Sequence, residues 1–318
     1  KGTVAASERS TIYDRILNVR SVVPHHSYLQ YTATPQANLL VAQADLLDPA
    51  FAELVTPGRN YTGGVAFFKS HPELVEDIPV SDVPSAGNTL STSPKSLLSA
   101  LRYFLLVSAH HSITKTRGKD RNRSMMVHPA QLTTSHKTYK AWVDRSLKTL
   151  KSFVEKQHQS DLAGVALKFQ KEFDSLSKSF PNICPLNDLI HAMANDVFSE
   201  MDCVEVNATA DAEKKIDWKQ TPYWILVGGN KLDRGYTVEG LAISYMPRQL
   251  GKSPAADTLQ QRARFFGYKQ SYFGLCRVFV QKNVKEAFTQ YVEHEEFVRS
   301  ALESTRGKPL REWRRDFL

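Results

Sequence analysis

The chain has 318 residues, 42% of them apolar, and 41 basic against 33 acidic side chains give a formal charge of +8. That length and apolar content suffice to bury a large core in one domain or one and a half, which excludes a disordered chain. No signal-like run and no apolar stretch of membrane-spanning length occurs, and Cys184, Cys203 and Cys276 stand far apart with no Cys-x-x-Cys pair. Secretion, membrane spanning, a zinc ribbon and a disulfide framework therefore lack support, and a reducing cytoplasm is the expected setting. The opening Lys1-Gly2-Thr3, without methionine, reads as a piece of something longer.

In chain order, Tyr28 to Thr32 predicts a short buried strand, and Pro35 stops it before an amphipathic segment from Gln36 to Leu47. Thr32 and Thr34 would then sit at a strand's C-terminal edge, where open parallel sheets bind ligands. A loop rich in Pro, Gly and Ser leads to helical periodicity from Pro94 to His111, and Ser124 to His128 reads as the next strand. Between them Lys115, Arg117, Lys119, Arg121 and Arg123 alternate through one loop. Such a run is either a solvated connector or a contact to the phosphates of duplex DNA, and the basic C-terminus from Arg306 to Arg315 has the same two readings.

From about 139 to 202 nearly every segment has a helical period, which we read as a helical insertion. Strand signals return at Cys203 to Val206, Tyr223 to Val227, Leu241 to Met246 and Leu275 to Val280. Helices are predicted at Ala256 to Phe266 and Val284 to Glu303. Strands alternating with helices at these lengths predict an α/β fold, a mainly parallel sheet covered by helices.

Two blocks carry the chemistry. The first, Gly228-Gly229-Asn230-Lys231-Leu232-Asp233-Arg234-Gly235-Tyr236-Thr237, follows the strongest apolar strand and brings a cation, a free backbone amide and a hydroxyl onto one loop. Its glycines alone would be equally at home in a tight strand-to-loop turn. The second runs from Asp257 to Lys269. On a continuous helix Gln261 and Arg264 share a face, while Leu259, Ala263 and Phe266 turn to the sheet. Arg262, Arg264 and Lys269 beside a sheet edge suit phosphate, which guanidinium groups grip with two parallel hydrogen bonds.

Other signals point nowhere. Gly251-Lys252-Ser253 has Met246 where a P-loop needs glycine, and no Asp-Glu pair follows a strand to hold magnesium. Hydrolysis of ATP by this chain alone is therefore not expected. His110, His111, His128 and His136 lack convergent metal-ligand spacing, and Glu213-Lys214-Lys215 lies in a polar loop without a second carboxylate.

The blocks Tyr31-Thr32-Ala33-Thr34-Pro35, Arg59-Asn60-Tyr61-Thr62-Gly63-Gly64, Ser124-Met125-Met126-Val127-His128, Gly228 to Leu241, Tyr245 to Arg248 and Asp257 to Lys269 with Leu275-Cys276-Arg277 resemble the Z-one domain family. That family carries an endonuclease label and occurs beside DEAD-type superfamily 2 helicase lobes in ATP-dependent restriction and phage-defence systems. The resemblance implies a second RecA-like lobe over 51–318, preceded in 1–50 by a linker or the end of a first motor lobe. It implies that Thr32 and Thr34 look like helicase motif III, Arg234, Gly235 and Thr237 like motif V, and Gln261 with Arg264 like motif VI. Lys269 stands where relatives have arginine, Ala263 where they have glycine and Asp233 where they have serine. ATP with magnesium would be held mainly by a DEAD-type lobe outside this chain. Duplex DNA, a nuclease subunit and a second copy of the chain are the other implied partners. The rival from another class is a non-catalytic assembly module that docks a nuclease or second motor subunit. An endonuclease finds no carboxylate cluster here.

Overall fold

The structure, a computed structural model, describes residues 11–32, 47–85, 88, 90–114, 120–129, 133–206, 216–229, 232, 237–250 and 256–309. The chain divides into two compact units, Lys1–Pro57 with Glu293–Leu318, and Gly58–Val292.

The larger unit is built on a six-stranded sheet. Its strands are β2 (Val75–Asp77), β3 (Arg123–Val127), β4 (Met201–Val206), β5 (Tyr223–Gly228), β6 (Leu241–Met246) and β8 (Arg277–Val280). They lie in the order β2-β8-β6-β3-β5-β4, and every neighbouring pair is parallel. The mainly parallel α/β sheet expected from the alternation of strands and helices is therefore present. The four central strands β3, β5, β6 and β8 are buried at every residue, because a parallel sheet is covered on both faces and its strands read as continuous apolar runs. A separate two-residue ladder pairs β1 (Tyr61–Thr62) with β7 (Gly267–Tyr268), where Thr62 Oγ1 donates to the Gly267 carbonyl at 2.5 Å and the Tyr61 and Tyr268 rings meet edge to face. Two blocks 205 residues apart in sequence are thereby joined.

The helices of this unit follow from the crossovers. Helix α2 (Lys95–Thr114) joins β2 to β3 and is buried around most of its circumference, since the sheet lies on one side and further helices on the other. After β3 come α3 (Thr133–Gln157), α4 (Leu162–Ser179) and α5 (Leu186–Ala192), which form the crossover to β4. Helix α3 packs directly on β4 and β5, so the helical stretch includes part of the sheet's own cover. Asp161 caps α4 by accepting from Gly164 N at 3.0 Å. A buried ion pair, Arg102 Nη2 to Glu172 Oε1 at 2.7 Å, with Ser99 donating to the same carboxylate, ties α4 to α2.

Helix α6 (Ala256–Arg262) follows β6 and stops four residues before the predicted end at Phe266. The chain turns there because Phe265 and Phe266 leave the helical path for an aromatic cluster: Phe265 lies 5.3 Å from Phe67 and 5.7 Å from Phe288, and Phe68 stacks on Phe288 at 5.0 Å. Phe288 belongs to the last helix, α7 (Lys282–Ser304). Gly240, just before β6, has φ +59°, and a Cβ there would lie 1.9 Å from the Asn122 carbonyl oxygen, so only glycine lets these two backbones approach.

The smaller unit contains α1 (Thr11–Val22), which has no buried residues. Val298 and Leu302 pack with Ala52 and Leu54, and Arg306 pairs with Glu53 at 2.7 Å. The predicted strand at 28–32 is absent: these residues are exposed and lack regular structure, Tyr31 at 85%, and no described strand pairs with them. Five residues rich in tyrosine and threonine carry strand propensity, but a strand forms only against a neighbour.

Candidate functional site

The strand order sets the place to look. The crossover after β3 runs toward β4, whereas the connection after β6 runs toward β8, so the two leave the sheet in opposite directions between adjacent strands. That is a topological switch point, and in open α/β sheets ligands bind outside the C-terminal ends of the strands there.

The residues at that edge are cationic and polar. His128 follows β3 directly; its backbone N–H donates to the Tyr245 carbonyl at 2.8 Å and its ring is 1% exposed. Arg248, two residues past β6, brings Nη1 to 3.3 Å from His128 Nε2, so Nε2 accepts and the ring proton belongs on Nδ1. Arg262, the last residue of α6, is 8% exposed and donates to the Gln249 carbonyl at 3.3 Å. Gln281, just past β8, donates to the Pro247 carbonyl at 2.7 Å and fixes the loop that carries Arg248. Burial, then Arg248, Arg262 and His136, push the His128 imidazole down to about 3, so it is neutral at physiological pH. Beside this edge the Ser96 hydroxyl meets Tyr245 OH at 2.9 Å, and Asp82 accepts from Ser96 N at 2.7 Å in the first turn of α2.

A second polar cluster occupies the opposite edge. Arg123 opens β3, is 5% exposed, and makes a two-pronged contact to Asp120 at 2.5 and 2.9 Å while lying 4.2 Å over the Tyr272 ring. The guanidinium beside it holds the Asp120 carboxyl below its ordinary value despite partial burial, which pulls the other way. Lys269 is 4% exposed, with Nζ on the carbonyl of Leu241, the first residue of β6, and 5.4 Å from the same Tyr272 ring. Burial lowers its ammonium below the usual lysine range. His111 Nε2 donates to the Asp120 carbonyl at 3.0 Å.

This geometry redistributes the residues expected from the sequence. Lys269 is at the N-terminal edge, a strand length of roughly 17 Å from the switch point at ~3.3 Å per residue, and its charge is spent on a carbonyl and a ring. Arg123 is likewise part of the buried lower cluster, so it is withdrawn from the DNA-facing set. Arg121 in the same run is exposed, and Lys115, Arg117 and Lys119 lie outside the described residues. Gln261 and Arg264 are half-buried but do not share a helix face, because α6 ends at Arg262 and Arg264 sits in a turn with its N–H on the Arg262 carbonyl at 2.8 Å. Leu259 and Ala263 are buried as expected. Thr237 is exposed, Thr32 is exposed in the smaller unit, and Thr34, Arg234 and Gly235 lie outside the described residues, as does Glu213-Lys214-Lys215. Gly228 has a packing reason of its own, since a Cβ there would lie 2.3 Å from the Val206 carbonyl oxygen.

His110 Nδ1 accepts from Cys184 N at 3.2 Å, which separates it from the contacts of His111 and His128. Among the described residues no group of three or more His, Cys, Asp or Glu side chains could hold a metal ion, and no helix is long and apolar enough to cross a membrane. His128, Arg248 and Arg262 as a set went unread in the sequence. The available signal was position: His128 and Arg248 are the first titratable residues past the ends of two buried apolar strands.

No curated protein and no solved structure matches the chain. The family profile described as the Z1 domain matches residues 96–313, a span that contains strands β3 to β8 and the switch point. With more than half of its length matched, the chain belongs to the Z1 domain family.

Proposed function

We propose that the chain is the second, RecA-like lobe of a nucleotide-driven machine acting on duplex DNA, completing an ATP site with a DEAD-type lobe that carries the P-loop. The observation that carries this reading is the cationic C-terminal edge at the switch point. The Gly228 to Leu241 block leaves the sheet at that edge, and the Asp257 to Lys269 block returns from it through α6. Backbone amides and guanidinium groups there suit the charge that develops on a transferred phosphoryl group.

In this reading Arg264, in its half-buried turn, is the residue that reaches toward the partner lobe's nucleotide, with Gln261 three residues before it. Arg234, Gly235 and Thr237 follow the glycine turn on the loop expected to meet the phosphates. Magnesium enters with ATP on the partner lobe. Lys269 has no part in it. A restriction or phage-defence complex is the setting proposed, with a nuclease as a separate subunit.

A second reading has its own support. Ile12, Val19, Val22, Phe51 and Val55 of the smaller unit are each more than 60% exposed, and apolar exposure of this extent suits a docking module without catalysis. Substituting Arg264→Ala in the complete protein separates the two. The motor reading expects turnover at saturating ATP and duplex DNA to fall by roughly a thousandfold, as loss of an arginine finger does, with ATP affinity changed only a few fold. Turnover equal to that of the exposed control Lys148→Ala would leave the docking module standing.

A further inference from the structure

We propose that Tyr268, with Tyr61 beside it and Arg59 in the adjoining turn, is a stacking platform for an unpaired base of a single nucleic-acid strand. The block from Arg59 to Gly64 stands out in the sequence but takes no part in the nucleotide contact proposed above, and it is joined in space to the end of the Asp257 to Lys269 block.

Three observations converge. The first is alternation: in the ladder of β1 and β7, Tyr61 stands opposite Tyr268 and Thr62 opposite Gly267. Directly opposed residues share a face and successive residues alternate, so the two rings lie on one side and Thr62 on the other. Thr62 is 4% exposed, whereas Tyr61 is 43% and Tyr268 69% exposed, so the tyrosine side is the one that meets solvent. The second is how firmly the rings are held. They meet edge to face at 5.7 Å, and Tyr61 N–H donates to the Gly58 carbonyl at 2.9 Å, closing a turn around Arg59 and Asn60. Tyr268 lies so close to Gly58 that a Cβ there would stand 2.7 Å from its hydroxyl oxygen. Phe266, just before the ladder, packs on Phe67 at 6.2 Å. A ring fixed in this way gives up little further freedom when a planar group covers it. The third is chemistry: an aromatic ring stacks on a base of any identity, and the exposed Arg59 supplies a cation for the neighbouring phosphate.

The bases of a duplex cover one another's faces, so the base that stacks here has left its partner. A mononucleotide engaged at the switch point is a poorer match, because Tyr268 directly precedes Lys269, whose side chain is anchored at the opposite edge of the sheet.

A short fluorescent oligothymidylate titrated into the 318-residue chain at fixed ionic strength, followed by anisotropy, tests the platform. The wild-type chain should bind it saturably and more tightly than an abasic strand of the same length and charge. Tyr268→Ala should weaken oligothymidylate binding about tenfold and remove the preference over the abasic strand, because stacking of one base is lost. Tyr268→Phe keeps the ring and should bind within about twofold of wild type. Arg59→Gln should lower the dependence of log affinity on log salt by ~0.7, the share of one phosphate on a single strand, while Tyr268→Ala leaves that slope unchanged. Tyr268 is mostly in solvent, so these variants are expected to fold. No saturable binding by the wild-type chain, equal binding by Tyr268→Ala, or an abasic strand bound as tightly as oligothymidylate overturns the proposal. Displacement of the strand by ATP that depends on Tyr268 would give the platform to a mononucleotide and overturn it as well. The measurement needs no ATP turnover, so its outcome is independent of the Arg264 experiment.

Discussion

Lys269 and His128 show how little a residue's charge says about its job until its depth is known. The Lys269 ammonium is buried against the first carbonyl of β6, and burial of a cation is unfavourable unless it is hydrogen-bonded. Lys269→Met keeps the length and removes the charge, so it should change stability by no more than about 1 to 2 kcal/mol in urea unfolding and leave ATP turnover of the complete protein unaltered. A large loss of turnover in a folded Lys269→Met protein would return the residue to the phosphate site. His128 offers a test by pH. Its folded value of about 3 lies below the ordinary 6.5, so between those values the unfolded chain binds the extra proton. The stability that depends on a neutral His128 is therefore intact above pH 6.5 and drains away as pH falls toward 3, by up to ~1.4 kcal/mol per unit. His128→Asn should flatten that acid limb; an unchanged slope between pH 6.5 and 4 would mean the imidazole is not held neutral.

At the scale of elements, the apolar runs at Tyr223 to Val227 and Leu241 to Met246 were legible because strands covered on both faces need no alternation to announce themselves. The edge strand β2 was not legible, since it is three residues long with only Val75 fully buried, and it exists by pairing with β8. The length of α6 was overestimated for a related reason. Leu259, Ala263 and Phe266 keep a helical spacing, but the pull on Phe265 and Phe266 comes from Phe67 and Phe288, which are distant in sequence. The same blindness hid the candidate site: Arg262 reaches back thirteen residues to the Gln249 carbonyl, a contact between elements that periodicity along one element does not show. The tie between α2 and α4 makes a prediction at this scale. Glu172 is fully buried and answered by Arg102 and Ser99, so Arg102→Ala would strand a carboxylate in the core. That should cost about 3 kcal/mol or more in denaturant unfolding, with a smaller loss for Glu172→Gln; an effect under ~1 kcal/mol would show that solvent reaches the carboxylate.

For the whole molecule, the sheet separates its polar residues into two edges with different work. The N-terminal edge, with Arg123, Asp120, Lys269 and Tyr272, is closed by internal pairing and holds the strands' starts together. The C-terminal edge presents cations at a switch point, and the proposed nucleotide contact belongs there. Hydrogen exchange of the complete protein, with and without a non-hydrolysable ATP analogue, tests that division most directly. Slowed exchange at residues 247–250 and 256–264, with residues 120–124 and 267–272 unchanged, is the expected result. Protection confined to the N-terminal edge, or no change at either, would contradict a nucleotide engaged at the switch point.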